Sequence, residues 1–253
     1  MPRFKHYVGI DYSGANQPGR ALPGIKVLES GRGNRPVPQL NLDRHREPRN
    51  WSRSALAAWL VELLASDQRV IVGIDHAFSL PRDQAATIES WDGFLEWFRR
   101  SWPTDQCSVH VATNRLPPPD ATDFRLTEKW SSSARSIFYR GRYGVYKSTF
   151  AGIPWLHQIR SQVPRAFFWP FDGRMPPAGR SVVAEVYPAI FNRRYRGDPG
   201  YRELDAHSRD AYSVCRWLEQ TDGRDLLEAY MSPPLTEPEW QIAHFEGWIL
   251  GIR

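Results

Sequence analysis

Four carboxylates stand where apolar residues would be expected. Asp11 closes the run Tyr7-Val8-Gly9-Ile10, and Asp75 closes Val70-Ile71-Val72-Gly73-Ile74. Glu185 lies inside "SVVAEV" (181–186), and Asp210 comes one residue before the apolar stripe of an amphipathic stretch at 205–220. An ionised carboxylate in apolar surroundings is costly unless it is paired. Taken alone, each is better read as structural, capping a helix or pairing with an arginine. Three at strands and one on a packed helix point further. If they converge, mutual repulsion raises their pKa values, and a divalent cation relieves that repulsion. Hard oxygen donors suit magnesium or manganese. Two such ions activate a water and stabilise the leaving oxygen in phosphodiester hydrolysis. The expected metal ligands are therefore Asp11, Asp75, Glu185 and Asp210.

The elements that would position these acids are legible from periodicity. Strands are expected over 5–11, over 24–30 with Ile25 and Val27 on one face, and over 36–43 with Leu40 and Leu42 inward. The first 45 residues then form an antiparallel meander. Leu56, Trp59, Leu60, Leu63 and Leu64 recur at helical spacing over 54–66. The apolar run ending in Asp75 suits a strand buried on both faces. A helix follows over 90–102, with Phe94, Leu95, Trp97 and Phe98 as its apolar side. Residues 103–170 are rich in proline, arginine and aromatics, and read as an insertion of helices and long loops within one domain spanning 1–253. Further on come a strand at 181–186, stopped by Pro188, and a helix at 205–220 with Ala211, Val214, Cys215 and Leu218 inward. A last helix opens with Thr236 and Glu239 at capping-box spacing.

Composition bounds the class. The 253 residues are 41% hydrophobic, enough for a sizeable core. The net charge is +5 and the pI about 9.3, the excess coming mainly from arginine. That suits phosphate-bearing partners, although arginine-favouring codon usage accounts for it equally well. Cys107 and Cys215 belong to no zinc-like cluster, and a reducing cytoplasm fits them. "MPRFKHYVGID" lacks the apolar region of a signal peptide, and no apolar run approaches the ~18 residues of a membrane span.

The order of these elements resembles the ribonuclease-H-like superfamily, an α/β fold with a mixed sheet, antiparallel then parallel, flanked by helices. More narrowly, "GIDYSGA", "VGIDHAFSLP", "STFAGIPWLHQIR", "FWPFDG", "AEVYPA", "HSRDAYS" and "EGWILG" resemble predicted nucleases grouped as domain of unknown function number 429. The resemblance spans nearly the whole chain. It implies that Asp11 is the first-strand metal ligand, Asp75 the acid of the fourth strand, Glu185 the glutamate of the later strand, and Asp210 the aspartate of the last helix. "HSRDAYS" is also similar to the HxxDA segment of RuvC-type resolvases, which places His207 where it positions a water or contacts the scissile phosphate. A plain surface histidine fits that position equally well. The family often carries proline two residues after the fourth-strand acid, where this chain has His76-Ala77.

A nuclease needs a basic track. "ARSIFYRGRYGVYKSTF" (134–150) interleaves Arg135, Arg140, Arg142 and Lys147 with Phe138, Tyr139, Tyr143 and Tyr146. Cations there can hold phosphates of DNA or RNA while rings stack on bases. The competing reading is a twisted hairpin whose aromatics pack on the core. "DRHREPR" (43–49) is a second basic stretch, better read as a solvated loop. The leading expectation is a metal-dependent nuclease. An actin-like or sugar-kinase-like phosphotransferase or ATPase shares the core and an acid followed by small residues, but it needs a second glycine-rich phosphate loop. A non-catalytic nucleic-acid-binding module is the third reading. Glycoside hydrolysis by two carboxylates is a fourth.

Overall fold

Gly9 and Gly73 face each other across two neighbouring parallel strands, and a helix lies on them. This close approach organises the whole molecule. The computed structural model describes residues 3–42, 45–116, 119–120, 122–142 and 144–253. In chain order the first elements are β1 (His6–Asp11), β2 (Lys26–Gly31), β3 (Val37–Pro38), β4 (Asn41–Leu42), β5 (Pro48–Arg49) and α1 (Arg53–Ala65). There follow β6 (Val70–Asp75), α2 (Trp91–Ser101), α3 (Val109–Arg115), α4 (Leu126–Trp130), α5 (Tyr146–Gln162), β7 (Phe167–Trp169) and β8 (Val182–Glu185). The last are α6 (Ala206–Gly223), α7 (Leu227–Met231) and α8 (Glu237–Glu246). Ser52 caps α1 by accepting from Ala55 N–H. Thr236 and Glu239 form a reciprocal capping box at α8.

The main sheet has the order β3-β2-β1-β6-β8-β7. β2 runs antiparallel to β1 and to β3, whereas β1, β6, β8 and β7 are mutually parallel. Strand alternation assigns the two faces. Val8, Ile10, Val70, Val72, Ile74 and Val183 pack into one core with α1, α2 and α5. Tyr7, Ile71, Val182 and Ala184 pack into the other with α6 and the C-terminal Trp248 to Ile252. Gly9 and Gly73 belong to the second face. A Cβ on Gly9 would stand 2.2 Å from the Ala211 carbonyl oxygen and 2.6 Å from the Cys215 nitrogen. One on Gly73 would stand 2.7 Å from a Val214 methyl. Only glycine lets α6 lie this close to the sheet.

Two expectations are corrected. Leu40 and Leu42 do not point inward; they are 52% and 43% exposed. The reason is that β4 leaves the main sheet and pairs with β5 in a separate two-stranded ribbon. The stretch 103–170 also contains more than helices and loops, since Phe167–Trp169 is the edge strand β7. In the same stretch α5 packs against α1 and α2.

Candidate functional site

Period-two alternation puts Asp11 on the same face as Gly9, and Asp75 on the same face as Gly73. In the parallel register Asp11 pairs with Asp75, so two carboxylates stand side by side at the C-terminal ends of adjacent strands. α6 runs antiparallel to β1. Its far end reaches the start of β1, where Asp222 accepts from the Tyr7 hydroxyl at 2.8 Å. Its first turns therefore lie over the two aspartates. Asp205 caps α6 by accepting from Ser208 N–H, 2.8 Å away. His207 Nδ1 lies 2.6 Å from Asp11 Oδ2. Asp210 is held by the Asn192 side-chain amide, which donates to it.

The electrostatics of the three aspartates are shared. Asp75 is pushed well above the usual carboxylate range, first by burial and then by the negative charges of Asp11, Asp210 and Glu185. Burial also pushes up Asp11, against the stabilising pull of His207. Asp210 rises to about 6, again chiefly through burial. His207 is raised by its contact with Asp11, and more than half of its side chain remains exposed to solvent.

Glu185 sits differently. It pairs in register with Ile74, not with Asp75, and this one-residue offset turns its side chain to the opposite face of the sheet. There the fully buried Arg125 donates to both of its oxygens, at 2.7 and 2.5 Å. Phe78 N–H adds a third bond at 3.3 Å. Arg125 also donates to Glu128 at 2.9 Å. Glu185 is thus neutralised in an Arg125–Glu128 network, and its oxygens are committed. Asp75 and Glu185 still border one open cavity of ≈ 30 Å³, with Arg135, Tyr187 and Ile249 on its walls.

The histidine that follows Asp75 is a core residue. His76 is buried, its ring packed edge-on against Tyr12 and 5.2 Å from Phe78. Burial pushes its pKa down to about 4, so it is neutral. Among its described residues the basic stretch contains no strand to form a hairpin; it turns into α5 at Tyr146. Phe138 and Tyr146 are buried in the core, and Tyr143 lies outside the described residues. Arg135, Arg140, Arg142 and Lys147 are exposed. Arg135 stacks over Tyr139 at 4.5 Å and Arg140 over Tyr146 at 5.2 Å. Of the four, Arg135 borders the cavity beside Asp75. In the second basic stretch, Asp43 and Arg44 lie outside the described residues.

The chain matches no family model, no curated protein and no solved structure. Its functional reading therefore rests on its own residues. Among the described residues, no group of three or more His, Cys, Asp or Glu side chains is gathered closely enough to hold a metal ion as it stands. Asp11 is engaged with His207 and Asp210 with Asn192. The donor chemistry of Asp11, Asp75 and Asp210 nevertheless suits a hard divalent cation, because all three offer carboxylate oxygens and repel one another. Reading the sequence missed Arg125, Asn192 and Tyr187. Only the spacing of Arg125 and Glu128, three apart at a helix start, carried a signal for the first.

Proposed function

We propose that the chain is a divalent-metal-dependent nuclease built on a ribonuclease-H-like sheet and working in a reducing, cytoplasmic setting. The observation that carries this reading is the in-register pairing of Asp11 with Asp75 under the first turns of α6. The meander followed by parallel strands, with acids at the ends of β1 and β6, supports the fold assignment. Strand β7 beyond β8 is an addition to it.

Asp11, Asp75 and Asp210 would hold magnesium or manganese. The bound ions would supply charge neutralisation at the phosphate and an activated water. Glu185, tied to Arg125, would shape the site from the opposite face of the sheet. His207 offers a proton-exchanging imidazole: Asp11 engages Nδ1 and orients the ring, which leaves Nε2 to take or give a proton. Arg135, exposed at the cavity rim, supplies a guanidinium that matches phosphate oxygens.

The test is cleavage of labelled single-stranded, duplex, branched and hybrid DNA and RNA with magnesium or manganese. Wild-type protein should cut at least one of these substrates, chelation should stop it, and Asp11→Asn should abolish it with the fold intact. Inert wild-type protein on all substrates, or undiminished cutting by Asp11→Asn, overturns the reading.

A further inference from the structure

Asp11 and its neighbour Tyr12 go to opposite faces of the sheet. Tyr12 enters the layer between α1 and α5, where it meets Arg53 and Trp155 around one cavity. Arg53 is fully buried at the first position of α1. Its Nη1 donates to the carbonyls of Ser13 and Ala15 at 3.2 and 2.6 Å, and its Nη2 to that of Asn16 at 3.0 Å. These bonds pin the loop that follows Asp11. Among the described residues no carboxylate pairs with this guanidinium. It is a buried cation held by main-chain dipoles alone, an arrangement proteins avoid unless a counter-charge is supplied.

Three polar atoms around the cavity have no protein partner: Arg53 Nε, Trp155 Nε1 and the Tyr12 hydroxyl. Each residue is at least nine-tenths buried. Arginine and indole nitrogens only donate, and the tyrosine hydroxyl has a proton to give. Leu56, Leu60 and Ile159 supply apolar walls. The site therefore offers donors and a positive charge, with no acid. A water-sized particle has only ≈ 10 Å³ there in which to place its centre. So small a space favours a monatomic ion over sulfate, phosphate or a carboxylate.

We propose that this cavity binds a single halide ion, chloride in practice, as the counter-ion of Arg53. The ion accepts from Arg53, Tyr12 and Trp155 together. It ties the segment after Asp11 to α1 and α5, on the sheet face opposite the aspartates. The inference is independent of what the aspartates do.

The test begins in halide-free gluconate buffer at fixed ionic strength. Replacing gluconate by chloride or bromide should raise the melting temperature saturably. Tyr12→Phe removes one donor and keeps its ring, Trp155→Phe removes another and leaves a smaller aromatic in its place, and each should raise the halide concentration needed by about tenfold. A wild-type crystal grown in bromide should show an anomalous peak within hydrogen-bond reach of the three donors, a readout that needs no variant. A melting temperature indifferent to halide, or a density at the three donors without anomalous signal, overturns the proposal and assigns the cavity to a water.

Discussion

His207 Nδ1 lies 2.6 Å from Asp11 Oδ2, joining residues 196 positions apart in the chain. The contact raises the histidine pKa above 6.5. In NMR titrations the wild-type His207 imidazole should titrate above that value. In Asp11→Asn it should fall back toward it, with Asp205 and Asp210 retaining part of the shift. An unchanged titration in the variant would mean that the two side chains do not meet in solution.

Asp75 titrates high because burial and neighbouring charges penalise its ionised form. A raised folded-state pKa contributes stability that is present below the unfolded value, 3.8, and is lost as pH rises through the folded value. Asparagine at 75 mimics the protonated form at every pH. The melting temperatures of wild-type and Asp75→Asn protein should therefore coincide near pH 4 and separate as pH rises to 8, the variant being the more stable. Each 1 kcal/mol of difference corresponds to about 2–4 °C for a chain of this size. Magnesium or manganese should narrow the gap by stabilising wild-type protein alone.

Arg125 pairs with two buried glutamates, 185 and 128. Arg125→Ala leaves both without a partner, and urea unfolding should register a loss of about 3–5 kcal/mol. Glu185→Gln should cost less and should keep the stabilisation by metal that Asp75→Asn loses. Loss of that stabilisation in Glu185→Gln would show that Glu185 reaches the ion after all.

Gly9→Ala places a Cβ 2.2 Å from the Ala211 carbonyl oxygen. Backbone cannot yield as a flexible side chain can, so α6 must lift from β1. The expected cost is about 3 kcal/mol in urea unfolding, and the His207 titration should lose its dependence on Asp11. A variant of wild-type stability would contradict the glycine-mediated seating of α6.

Much of this protein is written locally in its sequence. Continuous apolar runs specified β1 as a buried strand and β6 as one buried on both faces, and helical spacing specified α1, α2 and α6 with their inward sides. The acids at 11 and 75 were visible as breaks in those runs, because alternation and burial are properties of a few adjacent residues. What the chain does not write locally is register. Asp75 and Glu185 looked equivalent, yet β8 pairs Glu185 with Ile74, and that single step put one acid with Asp11 and the other with Arg125. Likewise, nothing near Leu40 and Leu42 announced that β4 would leave the sheet, nor did anything near Arg53 announce a buried cation. Register between strands whose paired residues lie 111 positions apart, and the closeness of α6 to Gly9 and Gly73, are decided by how two cores pack on opposite faces at once. Only the folded chain carries that information, because the energy that selects it belongs to contacts between distant segments.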